Sequence, residues 1–420
     1  MGRMIAPILQ FVRQFDRNLW ILSVGWFVSA LGFAASLPFI AIYFHSHFGM
    51  SMTEIGLFFG AMAIVRSVFQ GIGGEIADRV PRSWLLVHSQ NLRALFFAME
   101  ALAIYYDWGF WWVAIFLFMM SIFGAIFQPT ANALVSDIVP REKRLEGYAV
   151  TRSAGNLGWA AGPALGGFLA TVGDSYAYLF FLSAGITFAS GLVFWTMLKV
   201  PEAAKPIDRF RMKDLISIKD DPLLAKHSIL IFLLYLVVAQ LMVPFSVYSV
   251  EMVGITEEQL GYLYTLNGLL VVAAQIPITR LFSKVPLATQ LALGSFIYAI
   301  GYGMVGTLVG YGFFAFAIVV VTTGEMLMSP PSLTVTSRLA PEGRMGRYMG
   351  IFGFFVASGW SFGPLFGGWV LDHFGNDPAL AWMIISSLGI VSGAGYLLLG
   401  KSFTARVEEG PKRSGDGPAT

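Results

Sequence analysis

The sequence predicts an all-α membrane protein: twelve transmembrane helices in two pseudo-symmetric six-helix lobes, with both termini in the cytoplasm. Three observations carry this reading. Hydrophobic residues make up 56% of the 420 residues and charged residues only 12%, against about 25% charged in soluble domains. The apolar residues fall into twelve stretches of about the 20-residue length a helix needs to cross a bilayer. A glycine-rich pattern also occurs twice, at a fixed offset of 201 residues.

The twelve stretches are residues 19–44, 53–77, 83–106, 109–137, 145–171, 175–198, 226–250, 259–279, 287–308, 311–337, 347–371 and 378–400. Of the 27 Lys and Arg residues, Arg66, Arg93 and Arg152 lie well inside these stretches, and all the others fall in the terminal segments and every second loop or at its edges, Lys226 and Arg347 being the first residues of their stretches. The remaining loops have none. Basic loops stay in the cytoplasm, so both termini are expected there, in an inner cell membrane.

The duplicated pattern divides the chain. Shifting by 201 residues carries Gly158, Gly162, Pro163, Gly166 and Gly167 onto Gly359, Gly363, Pro364, Gly367 and Gly368, and Pro129, Ser136 and Pro140 onto Pro330, Ser337 and Pro341. One structural unit is therefore used twice. The expected domains are a first lobe at 1–199, a basic, proline-containing linker at 200–225, a second lobe at 226–403 and a disordered tail at 404–420. An amphipathic helix near Arg211 to Ile218, lying on anionic lipid, is one reading of the linker, and a solvated tether is the other.

Composition also excludes classes. Without cysteine there is no disulfide, thiolate metal site or cysteine nucleophile. No cleavable leader is expected, because Arg3, Arg13 and Arg17 precede a first apolar stretch too long for a leader core. His45 and His47 flanking Ser46 are too sparse for a metal site. Phosphate loops, nucleophile motifs and nucleic-acid stripes are absent from the sequence, so neither enzyme activity nor a cofactor is expected. The expected partners are a small-molecule substrate, protons and the lipid bilayer, not nucleic acid, and the chain is expected to be a monomer.

Three segments carry a resemblance. Gly74-Glu75-Ile76-Ala77-Asp78-Arg79-Val80-Pro81-Arg82 falls in the turn after the second stretch. Gly155, Asn156, Gly158, Gly162, Pro163, Gly166 and Gly167 form a small-residue face on the fifth stretch. Phe127 to Pro140, followed by Arg141, Lys143 and Arg144, ends the fourth. Together they resemble the major facilitator superfamily, in particular its bacterial drug:proton antiporters.

The resemblance implies two rocking lobes around a midplane cavity, and a cytoplasmic gate made by Gly74, Asp78, Arg79 and Arg82 with Asp137 and Arg141. Gly74 would allow close helix approach, and Asp137 would join Asp78 and Arg141 in a charge network. The alternative is that Asp78 and Arg79 only cap a helix end. The glycine face, repeated at Gly359, Gly363 and Pro364, is expected to let helices of opposite lobes slide or seal, with ordinary small-residue packing as the plainer reading. The chain departs from the family in having Pro81 where a glycine is usual. It also lacks an arginine within the fourth helix and an acid within the first, so a coupling proton has to be carried elsewhere.

Ionisable groups inside a membrane cost a few kcal/mol, about 2.5–3.5 on insertion scales, and need a partner or a task. Arg66 lies about 16 to 20 Å from both ends of its helix at ~1.5 Å per residue; with Gln70 one turn on, it is the candidate substrate or gating charge. Arg152 and Asn156 are further candidates of that kind. Glu325 is central in the tenth stretch, where low dielectric disfavours a charged carboxyl, and is the candidate proton carrier. Arg93 and Glu100 share a face of the third stretch and are assigned structural roles. Phe33, Phe39, Tyr235 and Phe245 are candidate cavity aromatics.

The expected function is secondary active transport: proton-coupled efflux of lipophilic small molecules or drugs by alternating access. With three internal arginines against two internal acids, an anionic metabolite or a lysophospholipid is the alternative cargo. A transport-inactive sensor or scaffold is the alternative from another class.

Overall fold

The structure, a computed structural model, describes residues 14–77, 79–140, 143–173, 175–199, 221–307, 309–341 and 345–403. Among these there are helices and no strands. The helices are α1 (Arg17–Phe48), α2 (Met52–Ala77), α3 (Arg82–Tyr105), α4 (Phe110–Ile138), α5 (Arg144–Val172), α6 (Ala177–Met197), α7 (Pro222–Val238), α8 (Glu257–Leu281), α9 (Leu287–Val305), α10 (Tyr311–Leu339), α11 (Met345–Phe374) and α12 (Pro378–Phe403). They match the twelve predicted stretches to within a few residues, counting the irregular run that prolongs α7. The predicted amphipathic linker helix and the tail at 404–420 lie outside the described residues.

Ten of these spans are long and apolar enough to cross a membrane. The exceptions are α3 and α5. Each spends apolar character on other needs: α3 on Arg93, Glu100 and the run from His88 to Asn91, and α5 on its glycines.

Local chemistry sets the ends. Asp16 accepts from the Asn18 amide (2.7 Å) ahead of α1, and Gly49, at φ 63°, closes that helix. Asp221 accepts from the Leu223 and Leu224 amides (3.1 and 3.2 Å) with Pro222 in the first turn, which starts α7 four residues before the expected position. Such side-chain caps satisfy otherwise orphaned donors. Gly109 (φ 89°) and Gly310 (φ 106°), also 201 residues apart, supply the left-handed backbone that launches α4 and α10.

Beyond Val238 the seventh span continues as a 3-10 turn (Ala239–Leu241), a helical turn (Pro244–Val247) and a π-helical stretch (Tyr248–Met252). Pro244 cannot donate to the ladder. Gln240 lies alongside and donates to the carbonyls of Leu236 (2.6 Å) and Gly363 (2.8 Å).

The chain forms two compact units. The first is residues 1–49, 61–207 and 246–268; the second is residues 50–60, 208–245 and 269–420. In the first, α5 lies along α1. A Cβ added at Gly158 would stand 2.8 Å from both Ala30 Cβ and Leu31 N, and one at Gly162 would stand 2.6 Å from Ala34 Cβ. In the second, Gly359 faces Tyr235 and a Cβ at Gly363 would meet Ala239 at 2.5 Å, so α11 lies along α7 in the same way. Within the stripe, Gly155, Gly158, Gly162 and Gly166 pack on α1, while Gly167, one residue round the helix, meets the Glu257 carbonyl of α8. Three- and four-residue spacing defines a face but not the neighbour that covers it.

The buried imidazole of His227 ties the second unit together. The Tyr396 hydroxyl bonds to Nδ1 (2.9 Å), while Nε2 lies 3.2 Å from Ser332 O and 3.1 Å from Thr336 Oγ1, joining α7, α10 and α12.

Candidate substrate and coupling site

In the first unit, two arginines share one aromatic ring. The Arg66 guanidinium of α2 stands 5.6 Å from the centre of the Phe33 ring on α1, and that of Arg93 on α3 stands 4.7 Å from the same centre. Arg93 is also 5.5 Å from the Phe97 ring and donates to Ser29 Oγ at 3.1 Å. Gly124 of α4 makes the room, since a Cβ there would lie 3.1 Å from Arg93 Nε. A desolvated cation over a ring gains about 2 kcal/mol. Among the described residues neither arginine has an ion pair with a carboxylate. Arg66 is half-buried and Arg93 is 6% exposed, so Arg66 presents a charge that Arg93 reinforces from behind.

One turn along α2, Gln70 lies 3.4 Å from Gln128 of α4. Arg152 and Asn156 are exposed on α5, and no bond joins either to Arg66 or Gln70 among the described residues.

At the other end of α2, the turn forms a partly different set from the expected one. Arg82 is 7% exposed and donates to Asp137 Oδ2 (2.5 Å) and to the Ala133 carbonyl (2.9 Å), bridging the start of α3 to the end of α4. Arg79 pairs with Glu75 (2.5 Å) on the surface, where such a pair is worth about 0–1 kcal/mol. Arg144 donates to the Ser136 carbonyl (2.7 Å). Asp78 and Arg141 lie outside the described residues. The close helix approach expected at Gly74 falls one residue earlier: a Cβ at Gly73 would sit 2.8 Å from Ile126 Cα, whereas at Gly74 the nearest atom is 4.0 Å away.

In the second unit, Glu325 lies midway along α10 and is half-buried. Gly324 packs tightly on α9, where a Cβ would be 2.9 Å from Gly294 O. The same Cβ would stand 3.0 Å from the ring of the fully buried Tyr298. A cavity of about 140 Å³ is lined by Thr279, Ser283, Gln290, Met326, Pro330 and Pro331 among others. Glu325 is the neighbour of Met326, outside that lining.

Sequence reasoning missed two polar junctions. In the first unit Thr171 Oγ1 accepts from the Glu258 amide (3.0 Å), and Thr265 Oγ1 donates to the Ala160 carbonyl (2.9 Å), where α5 meets α8. In the second, the Asp372 carboxylate accepts from Met52 N (2.9 Å), Thr53 N (2.7 Å) and Thr53 Oγ1 (2.5 Å), where α11 meets the start of α2. The offset of 201 pairs Thr171 with Asp372, and extending the repeat one turn beyond its last glycine would have found both.

The model of the Major Facilitator Superfamily matches residues 22–364. The chain belongs to this superfamily. The MFS-type transporter YttB of Bacillus subtilis (strain 168) is 26% identical over 408 residues, 95% of this chain and 99% of that protein. Multidrug resistance protein MdtH of Photorhabdus laumondii is 24% identical, covering 92% of this chain and 94% of its own length. A Na(+), Li(+), K(+)/H(+) antiporter of Planococcus maritimus is 23% identical, covering 92% and 96%. Among solved structures, a POT family transporter in complex with 5-aminolevulinic acid superposes with a TM-score of 0.75 at 14% identity, over 93% of this chain and 97% of that one. A bacterial homologue of the human lysosomal transporter Spinster gives 0.69 at 13% identity, over 96% and 98%.

The superfamily member described here is a multi-pass membrane protein and a secondary transporter of small molecules, not an enzyme.

Proposed function

We propose that the protein is a proton-coupled exporter of lipophilic small molecules in a bacterial inner membrane, working by alternating access as a monomer with cytoplasmic termini. The observation that carries this reading is Glu325: a half-buried carboxyl at the centre of an apolar helix. A carboxyl in that position loads a proton when dry and releases it when wetted. Arg66, with Gln70, Arg152 and Asn156, would select or gate the cargo. Arg82 with Asp137, together with Gly74, Asp78, Arg79 and Arg141, would hold the cytoplasmic closure. The relatives named for multidrug resistance and for cation/proton antiport support the reading.

The test is accumulation of lipophilic dyes in proteoliposomes with and without an imposed proton gradient. The parent is expected to accumulate dye only with the gradient, and Glu325→Gln to lose that dependence. Gradient-independent equilibration by both proteins would sink the coupled reading.

One observation favours a second cargo. Two guanidinium groups on one phenyl ring, with no carboxylate pairing either among the described residues, suit a substrate that brings an anionic group. Arg66→Gln separates the cargoes: loss of transport with folding retained would favour an anion, and unchanged export of a cationic dye would overturn the anion reading.

A further inference from the structure

Among the described residues Glu100 is the one fully buried carboxyl of the first unit, and the mechanism above does not use it. It lies on α3 and is 0% exposed, and neither carboxyl oxygen has a hydrogen-bond partner among the described residues. The antiparallel register sets its level. Gln90 stands opposite Ser190 of α6 (3.4 Å) and Arg93 beside Gly124 of α4, which brings Glu100 to the height of Phe180 and Leu117, each 1% exposed.

Charge near this position is sparse. α6 has no charged residue between Ala177 and Met197, and α4 has only Asp137, at its far end and paired with Arg82. On α1 the ionisable groups are Arg17, Tyr43, His45 and His47, all towards its ends. On α3 itself Arg93 is two turns away and engaged with Ser29, Phe33 and Phe97.

An ionised carboxylate without a donor is among the most costly groups to bury, whereas the protonated form costs only an unmade hydrogen bond. A structural glutamate in such a place ordinarily has its oxygens satisfied. Retention of a proton at Glu100 therefore depends on how tightly α3, α4 and α6 are packed around it. Other unsatisfied polar atoms occur along the same helices: Ser121 Oγ on α4, Thr187 Oγ1 on α6, and Gln90 Oε1 and Asn91 Oδ1 on α3. Buried polar atoms without a protein partner offer water a site whenever the helices around them loosen.

We propose that Glu100 is a proton-binding site: a neutral carboxyl in the packed state of the first unit that gives up its proton when α3, α4 and α6 loosen, and so a second coupling carboxyl beside Glu325. The coupling role rests on the proton-coupled reading above; the protonation state does not.

Two measurements on the full-length protein separate these. Infrared spectroscopy in lipid at neutral pH is expected to show the carbonyl stretch of a protonated carboxyl, present in the parent and in Glu325→Gln and missing from Glu100→Gln. The glutamine is nearly isosteric with the neutral acid, so the variant keeps the packing that the measurement needs. Identical spectra for the parent and Glu100→Gln would overturn the site. The second measurement is steady-state ethidium accumulation at clamped membrane potential. Removing one of two coupled protons lowers the accumulation at one pH unit of gradient by about ten-fold, and unchanged accumulation would overturn the coupling role. Failure of the parent itself to respond to the gradient would sink coupled transport and leave the infrared result to decide the site.

Discussion

The junctions of α5 with α8 and of α11 with α2 use the same backbone and different side chains. In the first, Gly167 lets the Glu257 carbonyl approach; in the second, Gly368 does this for Met52. Gly261 meets the Pro163 carbonyl as Gly56 meets that of Pro364. One turn further the likeness ends. Thr171 accepts a single bond from Glu258 N, whereas Asp372 accepts three from Met52 and Thr53. Close approach is a steric demand that only a missing side chain meets, so both copies of the unit retain it. Satisfying the first amides of a helix can be done by a hydroxyl or a carboxylate, and there the copies have diverged.

The largest effects come from the shared element. Gly368→Val and Gly167→Val each drive a side chain into backbone that cannot swing away, at about 1–3 kcal/mol for overpacking. Each is expected to raise the labelling rate of a cysteine at its junction, at buried Ser361→Cys for α11 and half-buried Thr265→Cys for α8, by roughly 5- to 150-fold. The cysteine-free chain allows single reporters. Closely similar effects of the two valines would support the equivalence of the junctions, and one inert valine would end it.

The contrast itself is sharpened by Asp372→Asn and Thr171→Val. Charge-assisted bonds are about twice as strong as neutral ones, and a lost helix cap costs about 0.5–2 kcal/mol. Asp372→Asn is expected to raise labelling at Ser361→Cys by about 5- to 30-fold, and Thr171→Val to raise it at Thr265→Cys by only about 2- to 5-fold. Equal effects would mean that the carboxylate adds nothing over the hydroxyl.

How much of this could be read from the sequence follows the same division. Twelve apolar stretches and the 201-residue offset were legible, because membrane length and repetition leave marks at every position. The caps at Asp16 and Asp221 were less so, which moved α1 and α7 outward by a few residues. Arg66 and Glu325 stood out as charges in apolar runs. That Arg66 and Arg93 meet on Phe33 did not, since the meeting depends on α1, α2 and α3 converging and on the space left by Gly124. The glycine face was visible but its partner was not, and most of it lies on α1. Arg82 and Asp137 were both legible as gate residues, but their direct pairing, 55 residues apart, came only from the fold.

The smallest effect tests what the first junction has in place of the aspartate. Tyr176, just ahead of α6, donates its hydroxyl to Glu257 Oε1 at 2.8 Å, so an acid at the start of α8 is bonded from the turn that leads into α6. Burial, and after it the negative charge of Glu257, hold the Tyr176 phenol well above its ordinary value. A donor whose proton affinity is raised by folding contributes fully below its ordinary value of about 10 and weakens only above it. Its ring still packs on Tyr43 in Tyr176→Phe (5.6 Å between centres in the parent), and Glu257 can turn to solvent. The loss is therefore near the lower end of the range for one hydrogen bond, about 0.5 kcal/mol or two-fold in labelling at Thr265→Cys. That two-fold difference is expected to stay flat from neutral to mildly alkaline pH. A difference that vanished with rising pH in this range would show a phenol that ionises early, and would remove Tyr176 as the counterpart of the Asp372 cap.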